Sequence, residues 1–181
     1  MLVLLDKICP QIQIELLYAT KNNFTQKILY PSAHCFLEEE VAHALTQVQR
    51  AAEEHGLGLK VWDGYRPLHV QWMLWEHTPD ERFVAHPSKG GKHPRGTAVD
   101  LTLVDKNGEL EMPTGFDDFS EKAYRECEDL PERVKKNRDL LQSLMEEQGF
   151  IGLPSEWWHF DYHRWQEFEP CDLLFNQLPV T

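Results

Sequence analysis

The sequence predicts an α+β fold, and three observations lead there. Helical and strand-like hydrophobic patterns follow one another without the regular strand–helix–strand rhythm of a doubly wound sheet. The length, 181 residues, suits one domain spanning 1–181, large enough to bury roughly 70% of its unfolded surface. A composition 41% hydrophobic and 27% charged is that of a soluble globular protein and excludes disordered, collagenous and coiled-coil readings.

The elements follow in chain order. Ile12, Ile14 and Leu16 alternate, as on one face of a half-buried strand over residues 11–16. Between Leu37 and His55, the positions Leu37, Val41, Ala44, Leu45, Val48, Ala51 and Ala52 keep helical spacing. Gly56 follows, where a helix C-terminus favours a left-handed residue. Leu59 to Asp63 reads as a strand, and Leu68 to Glu76 as a short helix after Pro67. Residues 97–104 form a β-rich run that stops at an Asp-Lys-Asn-Gly turn. Arg133 to Gln148 is a second strong helix, with Val134, Leu140, Leu141, Leu144 and Met145 inward and Gly149 closing it. Trp157 to Tyr162 is aromatic and extended, as in a strand.

Charge limits the partners. With 18 basic against 30 acidic residues the net charge is −12, which argues against nucleic acid and anionic membrane surfaces. No run approaches the ~20 apolar residues of a membrane span. The N-terminal residues have neither a basic region nor a small-residue cleavage site. Cys9, Cys35, Cys127 and Cys171 are far apart and form no CxxC pair. Reduced thiols in a cytoplasmic protein are expected; a periplasmic chain with two disulfides is the competing reading.

Three segments carry groups suited to chemistry. In the first, His93 sits on a Pro/Gly turn and Asp100 follows within an apolar strand, sharing a face with Ala98 and Thr102. A carboxylate there needs a partner. Imidazole and carboxylate both suit zinc, although an Asp capping a local turn would give the same pair. In the second, Glu156-Trp157-Trp158-His159, a regular strand would point Glu156 and His159 to opposite faces. The preceding Leu-Pro-Ser suggests that Glu156 lies on the entering bend, so that the two converge. A His, Asp, His set leaves a position for water, and a nearby carboxylate that does not bind the metal can act as its base. An aromatic core strand with one satisfied histidine is the plainer alternative. In the third, Gly64-Tyr65-Arg66-Pro67, Arg66 offers a planar cation for a carboxylate or oxyanion, or simply a surface salt bridge.

Together, Trp62-Asp63-Gly64-Tyr65-Arg66-Pro67, His93-x-x-Gly96-x-Ala98-Val99-Asp100-Leu101-Thr102-Leu103 and Glu156-Trp157-Trp158-His159 resemble the three signatures of the VanX-type D-alanyl-D-alanine dipeptidases. Those enzymes belong to a zinc D,D-peptidase superfamily that shares its fold with the Hedgehog signalling domain. Tyr18-Ala19-Thr20, Asn23-Phe24-Thr25, Phe116-Asp117 and Asn137-Arg138 extend the likeness from about Tyr18 to His159. The resemblance implies a mostly antiparallel central sheet flanked by helices. It implies one zinc on His93, Asp100 and His159, with Glu156 as base and Arg66 stabilising the transition state. Tyr18 and Asp117 match positions near the substrate's amino end; the rival role for Asp117 is to cap the turn made with Asp118 and Ser120. The family commonly has serine two residues before its first zinc histidine, where this chain has Gly91, and the segment before His93 looks short.

The expected activity is hydrolysis of D-alanyl-D-alanine to two D-alanines, the stereochemistry resting on the resemblance alone. A D,D-carboxypeptidase or L,D-endopeptidase acting on peptidoglycan stem peptides, and a non-catalytic zinc-binding module, are the rivals. A small dipeptide is the expected partner, and self-association is left open.

Overall fold

Residues 1–178 are described by the structure, a computed structural model. Its centre is a six-stranded sheet. β2 (Gln13–Ile14), β4 (Gly58–Asp63), β5 (Ala98–Asp105), β8 (His159–Tyr162) and β7 (Phe150–Gly152) lie side by side in that order, and β6 (Gly108–Glu109) pairs with the far end of β5. Every pairing in it is antiparallel except β2 with β4. β1 (Leu2–Leu4) and β3 (Phe36–Glu38) form a separate antiparallel pair, which the hydrophobic pattern did not announce.

Among the described residues four α-helices accompany the strands: α1 (Leu5–Ile8), α2 (Glu39–Glu54), α3 (Leu68–His77) and α4 (Glu132–Glu146). The two long ones arise where the helical spacing predicted. Gly56 and Gly149 follow them at φ +71° and +82°, the left-handed region that glycine enters without a Cβ clash. α2 and α4 pack on each other and on β4, β5 and β7. Along β5, Val99, Leu101 and Leu103 alternate onto the apolar side of the sheet and are fully buried, as are their β4 neighbours Leu59 and Val61. Both faces of β5 are buried but only this one is apolar, which gives the strands their register, since a slip of one residue would exchange the two faces.

Two predicted strands differ from expectation. The pattern over residues 11–16 yields only Gln13–Ile14 as strand, although Ile12 and Leu16 are buried. The aromatic run at 157–162 becomes strand only from His159; Trp157 and Trp158 are buried in the preceding turn, packed edge to face at 5.7 Å. Aromatic bulk signals burial there rather than extension.

Candidate metal centre and substrate cavity

The opposite face of the same sheet is polar. Strand pairing sets Asp100 beside His159, and Ala98 beside Asp161. On the other flank the β4–β5 register shifts between Val61 and Asp63, so Trp62 is the extra residue and Asp63, not Trp62, falls opposite Asp100. This bulge aims a second carboxylate at the site. His93 reaches the cluster from a short 3₁₀ turn, His93–Arg95, closed by Gly96 at φ +68°. A Cβ on Gly96 would lie 2.4 Å from Leu2 Cδ2 and 3.1 Å from the Glu38 backbone nitrogen, so with its left-handed φ the turn favours glycine.

His93, Asp100 and His159 come together, all buried, with potential ligand atoms within 4.8 Å of one another. His93 Nε2 is 3.3 Å from His159 Nδ1, and His159 Nδ1 is 2.9 Å from Asp100 Oδ1. The outward nitrogens fix the tautomers. His93 Nδ1 is 2.7 Å from the Gly64 carbonyl, which can only accept, so Nδ1 donates and Nε2 turns its lone pair inward. His159 Nε2 is 2.9 Å from Asp161 Oδ1, which by the same argument leaves His159 Nδ1 as an inward lone pair. Two lone pairs and a carboxylate facing one point repel unless a cation lies between them. Without metal, a proton is the nearest substitute: burial opposes charge on His159, but Asp161 and Asp100 outweigh it and raise its pKa to about 10. Burial likewise works against the Asp100 carboxylate, yet His93 and His159 hold its pKa well below the ordinary range. Two neutral imidazoles and one carboxylate are a donor set for zinc with room for water.

Glu156 lies on the bend before β8, as the Leu-Pro-Ser segment suggested, with its Oε2 3.9 Å from His159 Nδ1. Burial raises its carboxyl pKa, and the His159 charge opposes that rise. Arg66 is a buried cation rather than a surface one. Its Nε and Nη2 donate to Asp63 Oδ2 at 2.9 and 2.7 Å, Nη1 donates to Gln71 Oε1 at 2.8 Å, and Nη2 stands 3.7 Å from Asp100 Oδ2. Burial disfavours its charge, but Asp63 keeps it protonated. Three of its five N–H groups are used in these bonds, which leaves donors for another acceptor. Asp63 is itself fixed by a 2.6 Å bond from the Tyr30 hydroxyl.

Tyr18 donates to Asp117 Oδ2 at 2.8 Å across 99 residues of chain. Asp117 does not cap the neighbouring turn; Asp118 accepts from the Ser120 amide instead. Its backbone has φ +56°, a conformation uncommon for a non-glycine residue. Burial, reinforced by the Asp100 charge, pushes its carboxyl pKa well above the usual range. Tyr18, Arg66, His93, Asp117, Glu156 and His159 all border one cavity of about 360 Å³.

Sequence reasoning missed several partners. Asp63 stands three residues before Arg66, but the bulge that aims it is invisible in the pattern. Gln71 is one turn into α3. Asp161 was findable: two residues after His159 on a strand, it shares that face. Arg125 donates to the Leu153 and His159 carbonyls at 2.9 and 2.7 Å, at either end of the bend bearing Glu156. Nothing local in the sequence marks it. Gly91 borders the cavity with no side chain to offer. The four cysteines are free thiols, and among the described residues no helix is long and apolar enough to cross a membrane.

The chain is 42% identical over 161 residues to the D-alanyl-D-alanine dipeptidase of Escherichia coli, a match covering 88% of this chain and 83% of that one. The D-alanyl-D-alanine dipeptidase of Enterococcus faecium is 31% identical over 178 residues, covering 86% and 88%. Among solved structures, a Zn(II) complex of a mutant of the vancomycin-resistance D,D-pentapeptidase VanY aligns with a TM-score of 0.50 at 19% identity, over 74% of this chain and 76% of the other, and shows a shared fold. The model of peptidase family M15, described as D-ala-D-ala dipeptidase, matches residues 1–169. The chain belongs to that family.

Proposed function

We propose that this chain is a zinc-dependent dipeptidase of one domain that hydrolyses D-alanyl-D-alanine to two D-alanines in the cytoplasm. The observation that carries the reading is the convergence of His93 Nε2, His159 Nδ1 and Asp100 on one buried point beside Glu156. Zinc held there by His93, Asp100 and His159 would supply a Lewis acid for the scissile carbonyl and make water acidic near neutral pH. Glu156, its proton affinity raised by burial, takes the proton of the attacking water and returns it to the leaving amine. Arg66, held by Asp63 and Gln71, presents its remaining donors to the charge developing on the carbonyl oxygen without having to reorganise.

Asp117, whose charge is disfavoured by burial and by Asp100 while the cavity holds no cation, can ionise against the substrate's ammonium, with the Tyr18 hydroxyl donating to its Oδ2. An N-acylated dipeptide or a longer stem peptide would place a neutral amide there and leave Asp117 without a counter-charge. Sites built around a buried polar group discriminate by up to ~10⁴-fold. The test is metal analysis coupled to D-alanine release from a panel of stereoisomeric dipeptides, N-acetyl-D-alanyl-D-alanine and a pentapeptide stem. About one zinc per chain and a strong preference for the free D,D-dipeptide are expected. Equal rates on free and acetylated dipeptide, or faster cleavage of the stem, would overturn the dipeptidase assignment.

A further inference from the structure

We infer that Lys92 receives the carboxylate end of the substrate, which makes it a specificity-determining residue; the inference rests on the dipeptidase reading above. Successive contacts link Asp117 to Lys92, and every residue in the series except Asp161 borders the cavity. Asp117 is bonded to Tyr18 at 2.8 Å, and the Arg66 guanidinium lies 5.1 Å over the Tyr18 ring. Arg66 reaches Asp100 at 3.7 Å, Asp100 reaches His159 at 2.9 Å, His159 reaches Asp161 at 2.9 Å, and Asp161 Oδ2 reaches Lys92 Nζ at 3.3 Å. The series therefore has a carboxyl group at one end, the His/Asp donor set between, and the Lys92 cation at the other end, with both end groups bordering the same cavity. A dipeptide at neutral pH has the complementary order: ammonium, scissile amide, carboxylate, with its charged ends roughly 7 Å apart. With the amide at the donor set and the ammonium toward Asp117, Lys92 is the cavity cation on the other side of the donor set, joined to it through Asp161 and His159.

The cavity's other cations are less suited. Arg66 holds Asp63 and Gln71, and in the reading above its free donors face the scissile carbonyl. Arg82 and Lys89 border the cavity but are 76% and 65% exposed and paired with Asp80 and Glu81. Lys92 is 34% exposed, its ammonium 5.2 Å over the Trp165 ring, so a charge pair made there is shielded from water on one side. Its ammonium has three N–H groups, and Asp161 takes one. Gly90 and Gly91 bring no side chain of their own to this wall.

The experiment compares kcat/KM on D-alanyl-D-alanine and on D-alanyl-D-alaninamide, which lacks the carboxylate, for zinc-loaded wild type, Lys92→Ala and Lys92→Arg. Wild type should prefer the acid. Lys92→Ala should cut that preference by about 10- to 100-fold, the range for a hydrogen bond to a charged group, through KM rather than kcat. Lys92→Arg should keep most of it. Zinc content should be equal in all three. An unchanged preference in Lys92→Ala, or a wild type indifferent to the carboxylate, would overturn the anchor. So would a loss confined to kcat or to zinc content, which would show Lys92 acting through Asp161 on His159. Zinc-loaded wild type that leaves D-alanyl-D-alanine uncut would overturn the dipeptidase reading, and the anchor with it.

Discussion

The two faces of the central sheet are built from alternate residues of the same strands and obey different energetics. On the face toward α2 and α4, Val99, Leu101, Leu103, Leu59 and Val61 are wholly buried among apolar neighbours, and each contributes by leaving water. On the other, Asp63, Asp100, His159 and Asp161 are buried almost as deeply, yet each costs free energy unless its partners are in place. Tyr30 and Arg66 are the partners of Asp63, Lys92 that of Asp161, and His159 lies between Asp100 and Asp161. The apolar face holds the strands rigid, and the polar face uses that rigidity to keep like-charged groups together. Stability and chemistry should therefore respond separately to mutation.

The largest effects belong on the polar face. His93→Ala combined with His159→Ala should abolish zinc binding and all measurable turnover while the chain stays folded; stoichiometric zinc in the double variant would refute the ligand assignment. In wild type, His159 carries a proton in the metal-free site below about 10, and zinc must displace it. Zinc affinity should accordingly fall as pH drops across the neutral range, which competition with a chelator at several pH values reads directly. Glu156→Gln should keep zinc and lose turnover by at least ~10²–10⁴-fold. Retention of a tenth of normal turnover would place the base elsewhere.

Arg66→Lys comes next. Lysine keeps a charge but cannot span Asp63, Gln71 and a substrate oxygen at once. Turnover should drop ~10²–10³-fold, as when an oxyanion donor is removed. A rise in KM with kcat intact would assign Arg66 to ground-state binding instead.

How far the sequence disclosed this division depends on the range of the interactions. α2, α3, α4, β4 and β5 were legible because hydrophobic period and glycine stops are local signals, and His93, Asp100, Glu156 and Arg66 stood out by chemistry on those elements. The β1–β3 pair was not, since three-residue strands carry too few positions to show a period. Asp63 as a partner of Asp100 depends on a bulge, and Arg125 on a loop meeting the Glu156 bend across 28 residues. Both are set by tertiary packing, which one-dimensional spacing does not encode. Tyr18 and Asp117 came from resemblance alone, and only the fold brings them within 2.8 Å.

On the apolar face the expected effect is on stability. Leu101→Ala removes a fully buried side chain from the middle of β5 and should cost about 2–5 kcal/mol in denaturant unfolding. At temperatures where the variant remains folded, its kcat should stay within a few-fold of wild type. A loss of activity as large as that of Arg66→Lys would mean that the two faces are not separable.

The smallest expected effect is the sharpest check, because it sits one residue away on the other face. Thr102 pairs with Lys60 across β4 and is 1% exposed, yet its Oγ1 has no hydrogen-bond partner among the described residues. An unmet buried hydroxyl forfeits the hydration it had in the unfolded chain, a penalty of about 1–3 kcal/mol. Valine has nearly the same shape, suits a strand at least as well and carries no such penalty. Thr102→Val should therefore leave stability unchanged or raise it by up to about 1 kcal/mol, a gain of roughly 2–4 °C in Tm for a chain of this size. Turnover should be unaffected, since Thr102 touches none of the groups around His93, Asp100 and His159 by a hydrogen bond. Destabilisation beyond about 1 kcal/mol would show that the hydroxyl is satisfied, by water in the second cavity of about 500 Å³ that Thr102 borders with Thr114 and Glu109. The polar face would then be hydrated beyond its charged cluster, and the contrast between the faces would be one of water access as much as of side-chain type.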